Sequence, residues 1–284
     1  MQNTIMMITK DTNHSMRVFY LPFAYLYGVR MRSVGKFVSW CFLLLVPSLT
    51  YFYLSLPAET LLCKAILSYF LLWCSIIPYY ELGYIYNDTY TTRQEETPSL
   101  RLTDAQTAYF YQHTRSIYIL RILWVLALLT AFGSLNHWQT NVLFTIIWVL
   151  LLIPVFQVYN HIRGLKAVLF YPVLVCWRYI PFLLYGYGAT HWWVLLLLLL
   201  FSYPVEISIE RFSMPRHRYP WIRRLIPDEP SKAKFRCGYY IVCTLLATLL
   251  IYDNSLPYIA LIPYIVFTIY RIVIYTYALI SSKK

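Results

Sequence analysis

Eight apolar runs, each about long enough to cross a bilayer, take up most of this chain. They lie at about Phe37 to Leu54, Thr60 to Tyr80, Ile117 to Ser134, Thr140 to Val158, Ala167 to Tyr187, Ala189 to Val205, Phe235 to Tyr252 and Leu256 to Leu279. A helix needs roughly 20 apolar residues to cross a hydrocarbon core about 30 Å thick. Lipid supplies no partner for backbone N–H and C=O groups, so only helices and closed barrels can span it. Unbroken stretches such as Trp192 to Phe201 lack the alternation of a barrel strand, so the spans read as helices. With 60% hydrophobic and 13% charged residues, disorder and a separate soluble enzyme domain are excluded. The expected fold class is all-α, a polytopic integral membrane helix bundle of about eight transmembrane helices. Residues 1–36 form an N-terminal segment and 37–284 a single helical domain.

The basic residues sort by side. Outside the spans, every Lys and Arg falls in the N-terminal segment, in an even-numbered loop or at the C-terminus, and the odd-numbered loops carry none. By the positive-inside rule both termini are cytoplasmic. The net charge of +12 then needs no nucleic acid to explain it, since a cytoplasmic face meets anionic lipid and phosphorylated substrates. The first 36 residues contain no short apolar stretch ending in a small-residue cleavage site, so the first span is expected to be its own insertion signal. The six cysteines show no metal-ligand spacing and read as small apolar helix residues. Two inner loops are long, at about 81–116 and 204–234, and any chemistry is expected there.

Only twelve Asp and Glu are present, and seven flank two span ends: Glu81, Asp88, Glu95, Glu96 and Asp104, then Glu206 and Glu210. If the second helix continues beyond the membrane, Glu81, Asp88 and Glu95 recur every seven residues on one face. Glu206 and Glu210 share a face by i, i+4 spacing. Two such carboxylate stripes can hold Mg2+, which usually binds a few carboxylates plus substrate phosphates. Equally, they can be solvated loop acids balancing nearby arginines. Around them lie bases suited to phosphate oxygens: Arg101, Arg163, Lys166 and Arg211, with Tyr159 and Asn160 in the same string as Arg163. Arg178 lies inside the fifth span and is expected to face the bundle interior.

These residues carry a resemblance. The string Glu81-Leu-Gly-Tyr-Ile-Tyr-Asn87-Asp88-Thr-Tyr-Thr91-Thr-Arg-Gln-Glu95 resembles the first aspartate-rich motif of the UbiA-type prenyltransferase superfamily, NDxxDxxxD. Asn87, Asp88 and Glu95 match it, and Thr91 stands at the middle aspartate. Thr97 to Arg101 looks like a shortened form of the Arg-Pro stretch that follows. Tyr159 to Lys166 is similar to the family's basic segment between its fourth and fifth helices, and Glu206xxxGlu210 takes the place of its DxxxD motif. The resemblance covers roughly Arg17 to the end, although the family typically has nine spans.

The resemblance implies a transferase of the bacterial inner membrane. Asn87, Asp88, Glu95, Glu206 and Glu210 would hold Mg2+ against a diphosphate donor, with Asp88, Glu95, Glu206 and Glu210 as the catalytic carboxylates. Arg101, Arg163, Lys166 and Arg211, with Asn87, Tyr159, Asn160 and Arg178, would contact substrate, and the apolar bundle would hold an isoprenoid. Prenyl transfer from a prenyl diphosphate to a lipid or aromatic acceptor is slightly favoured. Phosphoribosyl transfer from phosphoribosyl diphosphate to polyprenyl phosphate, for cell-surface glycan synthesis, is the alternative. A transporter of a phosphorylated lipid and a non-catalytic membrane subunit are readings of another class.

Overall fold

The computed structural model describes residues 16–57, 59–94, 100–162, 164–186, 191–214 and 219–281. Among these the regular structure is helical throughout, with no strand. The helices are α1 (Val34–Ser55), α2 (Leu62–Tyr86), α3 (Asp104–Leu135), α4 (Thr140–Leu150), α5 (Leu152–His161) and α6 (Leu165–Trp177). They continue with α7 (Ile180–Leu184), α8 (Trp192–Ser202), α9 (Pro204–Ser213), α10 (Pro220–Arg223), α11 (Glu229–Asp253) and α12 (Ile262–Ser281). Seven helices among the described residues are long and apolar enough to cross a membrane: α1, α2 with its continuation to Gln94, α3, α4 with α5, α8 with α9, α11, and Tyr258–Tyr277. The protein is thus an all-helical, polytopic membrane protein.

The run expected as the fifth span is two shorter helices, α6 and α7, separated at Arg178 and Tyr179. Proline explains the break. Pro181 has no N–H, and its ring crowds the carbonyl four residues back, that of Trp177, where α6 ends. Pro154 stands in the same relation to Leu150, the last residue of α4.

The two long loops expected at about 81–116 and 204–234 are largely helical. Beyond Tyr86, α2 passes through a wide turn at Asn87–Thr91 and a tight one at Thr92–Gln94, giving a helical stretch of 33 residues. At 1.5 Å per residue that is about 50 Å, well beyond the hydrocarbon thickness. The continuation of the second helix past the span, on which the carboxylate spacing depends, is therefore present as far as Gln94. Helix α3 begins at Asp104 because Thr103 and Gln106 form a reciprocal capping box. Similarly, Asp228 caps α11 by accepting from the Ser231 N–H at 2.8 Å. The Ser231 hydroxyl first, and then this backbone N–H, hold the Asp228 carboxyl below the usual carboxylate range. Its contribution is therefore complete above the ordinary carboxylate pKa and is lost as pH falls through the lowered value. An Asp228→Asn variant should retain the cap but lose this acid dependence of the exchange rate of the Ser231 amide, measured by hydrogen exchange.

The chain folds as two compact units, one comprising Met1–Phe42 with Glu59–Ile162 and the other Leu43–Ala58 with Arg163–Lys284. In the first, α2 packs along α3 and against α5. Its core joins Phe19, Tyr25 and Val29 of the N-terminal segment to Ile85 of α2, to Leu102, and to Phe110 and Ile117 of α3. Gly83 lets α2 meet α5, since a Cβ there would lie 2.4 Å from the Phe156 ring.

In the second unit α11 packs on α12, and α9 packs on α6 and α8. The chain after α7 passes so close to the end of α1 that a Cβ on Gly186 would overlap the Ser55 carbonyl oxygen. The obstacle is backbone, which cannot turn aside as a side chain can. Nearby, Ser55 Oγ donates to the Phe182 carbonyl at 2.9 Å. Gly186→Ala is therefore expected to cost more than 3 kcal/mol, on the scale of the worst local strain. Fluorescence-detected size-exclusion chromatography after a heat challenge would read it, and a profile like that of the unmodified protein would refute the close approach.

Candidate functional site

In the first unit the acidic string of α2 lies against the N-terminal segment. Glu81 is 1% exposed and accepts three hydrogen bonds: from the backbone N–H of Leu26 at 2.7 Å, from that of Phe23 at 3.0 Å, and from Arg121 Nη1 at 2.7 Å. Arg121, equally buried on α3, spends its other donors on the carbonyls of Phe19, Val18, Leu21 and Pro78. A buried ion pair is tolerable only when its remaining polar positions are satisfied, and here they are. Arg121 and Glu81 together pin the N-terminal segment to two membrane helices.

Two turns further along, Asp88 is buried and saturated. Its Oδ1 accepts from Arg30 Nη2 at 2.7 Å and from Arg101 Nη1 at 3.1 Å. Its Oδ2 accepts from Arg30 Nε at 2.8 Å and from the Tyr25 hydroxyl at 2.9 Å. Arg30 is held from other directions too, with Nη2 donating to the Tyr84 carbonyl at 3.3 Å and the guanidinium 4.2 Å from the centre of the Tyr84 ring. Arg32 donates to the Arg101 carbonyl, which fixes the backbone that carries Arg101.

Asn87 and Thr91 bond to each other instead of facing outward. The Thr91 hydroxyl donates to Asn87 Oδ1 at 2.9 Å, and Asn87 Nδ2 donates to the Thr92 hydroxyl at 3.1 Å. These bonds tie together the wide turn that ends α2. Tyr159 and Asn160, at the end of α5, are buried in the same unit, the Tyr159 ring edge-on to Phe156. Glu95 and Arg163 lie outside the described residues.

The second unit has its own cluster. Glu206, on α9, is completely buried, and its Oε1 lies 3.4 Å from both Arg236 Nε and Arg271 Nη2. Glu210, one turn on, takes Arg236 on both oxygens, Nη2 to Oε2 at 2.6 Å and Nε to Oε1. Glu206 Oε2 and Arg271 Nε are buried without a hydrogen-bond partner among the described residues. Arg178, 3% exposed at the break after α6, lies over the rings of Tyr179 and Tyr203, 5.1 and 5.8 Å from their centres. The Arg211 guanidinium is 4.6 Å from the centre of the Tyr171 ring. Lys166 is exposed at the start of α6.

Each unit therefore brings its expected carboxylates together with guanidinium groups. Asp88 meets the expected Arg101, and Glu206 meets the expected Glu210. Sequence reasoning missed Arg30, Tyr25 and Arg236 as partners. Arg30 belongs to the basic set that topology alone explains, so nothing local marked it, and Arg236 stands at the very start of the seventh apolar run. Arg121 and Arg271 did carry a signal, as charges inside apolar spans.

As arranged, Asn87, Asp88 and Glu210 leave no side-chain oxygen open to Mg2+. That ion takes oxygen ligands at 2.0–2.1 Å in near-octahedral geometry. All four acceptor positions of Asp88 already have donors, Asn87 Oδ1 takes the Thr91 hydroxyl, and both oxygens of Glu210 take Arg236. No group of three or more His, Cys, Asp and Glu side chains suited to a metal occurs among the described residues. Around Asp88 two guanidiniums meet one carboxylate, an excess of positive charge that suits an anion, whereas around Glu206 and Glu210 two meet two. No family model, curated protein or solved structure matches the chain.

Proposed function

We propose that the protein is a membrane-embedded transferase of UbiA type that acts on a polyisoprenoid substrate and releases diphosphate at the cytoplasmic face. Prenyl transfer from a prenyl diphosphate to a lipid or aromatic acceptor is the first assignment, and phosphoribosyl transfer from phosphoribosyl diphosphate to polyprenyl phosphate the second. One observation carries the reading: each acidic motif is buried against guanidiniums, Arg30 and Arg101 on Asp88 and Arg236 and Arg271 on Glu206 and Glu210. Cleavage of the donor C1–O bond leaves positive charge at C1 and places negative charge on the departing diphosphate. Fixed guanidiniums aimed at that charge stabilise the transition state without reorganisation. Arg101 and Arg211, each partly exposed, would bind the phosphate oxygens. The apolar helices would hold the isoprenoid chain.

The test is release of inorganic diphosphate by the purified full chain in lipid nanodiscs. One arm supplies a prenyl diphosphate with lipid or aromatic acceptors, and the other phosphoribosyl diphosphate with polyprenyl phosphate. Consumption of neither donor would remove the transferase reading. The saturation of Asp88 by Arg30, Arg101 and Tyr25 would then favour a non-catalytic membrane subunit, in which those contacts serve only assembly.

Topology is tested separately. Thr103→Cys in a cysteine-free background places a thiol beside the Asp88 cluster. A membrane-impermeant maleimide should label it only after the membrane is opened, and labelling of intact cells would overturn the cytoplasmic placement.

A further inference from the structure

The two acidic motifs share a chemical peculiarity that goes beyond the transferase reading and rests on its phosphorylated ligand. Each acidic motif is already paired with a cation that the chain itself supplies. Around Asp88 it is Arg30, bound through two nitrogens, stacked on Tyr84 and anchored to the Tyr84 carbonyl. These extra contacts hold Arg30 in place whether or not Asp88 changes partner. Around Glu206 and Glu210 it is Arg236, bound to both carboxylates, and behind it the buried Arg271.

A guanidinium differs from Mg2+ in a way that matters for a membrane site. It carries one positive charge spread over a planar fork that matches carboxylate on one edge and phosphate on another, and it needs no hydration shell. Arg271 shows this unfinished state directly, since its Nε is buried and has no hydrogen-bond partner among the described residues.

We propose that arginine replaces the divalent cation at both acidic motifs, so that this protein binds its phosphorylated lipid without metal. The carboxylates then serve as positioning groups: Asp88 orients Arg30 and Arg101, and Glu206 and Glu210 orient Arg236 and Arg271.

Two measurements on the purified full chain decide it, and neither reads turnover. The first is the thermal stabilisation produced by polyprenyl phosphate and by inorganic diphosphate, titrated in EDTA and in excess Mg2+. Metal-independent binding predicts saturable stabilisation with midpoints in the two buffers that agree within about threefold. Midpoints more than about tenfold lower with Mg2+ would overturn the inference and leave the phosphorylated-ligand reading standing. Absence of stabilisation in both buffers would remove that reading and the inference with it. The second is electron paramagnetic resonance of added Mn2+. The free-ion signal should be undiminished by the protein, and stoichiometric loss of that signal, restored by EDTA, would overturn the inference.

Discussion

Arg121→Met is expected to cost about 3–5 kcal/mol, because it leaves the Glu81 carboxylate buried without its counter-charge. The loss extends further than one ion pair. Arg121 also donates to the carbonyls of Phe19, Val18 and Leu21, so its removal strips these polar ties between the N-terminal segment and α3 and leaves the apolar core to hold them. The matching change Glu81→Leu leaves the guanidinium unpaired and orphans the N–H groups of Phe23 and Leu26. The double variant should regain part of the lost stability, since no charge is then buried unpaired, but not all of it, because those backbone groups stay unsatisfied. Thermal unfolding in detergent, followed by size-exclusion chromatography, measures the cycle. Full additivity of the two single losses would show that the pair is not coupled. The corresponding pair in the second unit should be weaker. Arg271 lies 3.4 Å from Glu206, where Arg121 lies 2.7 Å from Glu81, and Glu206 retains Arg236 when Arg271 is lost.

Arg101→Gln should do the opposite, leaving the fold intact while removing function. Its side chain is 30% exposed and makes one contact with Asp88 at 3.1 Å, whereas Arg30 is 14% exposed and makes two. A partly exposed single-contact pair contributes no more than about 1 kcal/mol to stability. Under the proposed transferase reading, the same guanidinium faces charge that develops on diphosphate. Its loss should lower turnover on the donor that proves active by about a hundredfold or more. Thermal unfolding and diphosphate release, measured on one preparation, separate the two effects. A variant as stable and as active as the parent would show that Arg101 only decorates Asp88. Arg30→Gln should instead lower stability, since it uncovers a carboxylate that is 1% exposed.

Membrane character was legible from the chain alone because it depends on local quantities. The length and apolarity of a run decide whether a helix can cross, and seven of the eight expected runs coincide with long helices. The fifth run is instead two shorter helices, for a reason also written in the sequence, Pro181 four residues after Trp177. The charged stretches after the second and sixth runs were harder to read. Charge suggested loop, whereas Thr103 with Gln106 and Asp228 with Ser231 are capping pairs that start helices earlier than hydropathy does.

Heptad spacing placed Glu81 and Asp88 on one helix, and i, i+4 spacing paired Glu206 with Glu210; both are features of a single element. Which cation each carboxylate meets was decided only by tertiary structure. Arg30 is 58 residues from Asp88, and Arg236 is 26 from Glu210. No periodicity reports a contact across such a separation, because it depends on how the N-terminal segment folds back and how α11 packs beside α9. The types and positions of the ionisable groups were therefore fixed by the chain, while their partners followed from packing. In a low-dielectric interior every charge must find a partner, and the fold determines which one is within reach.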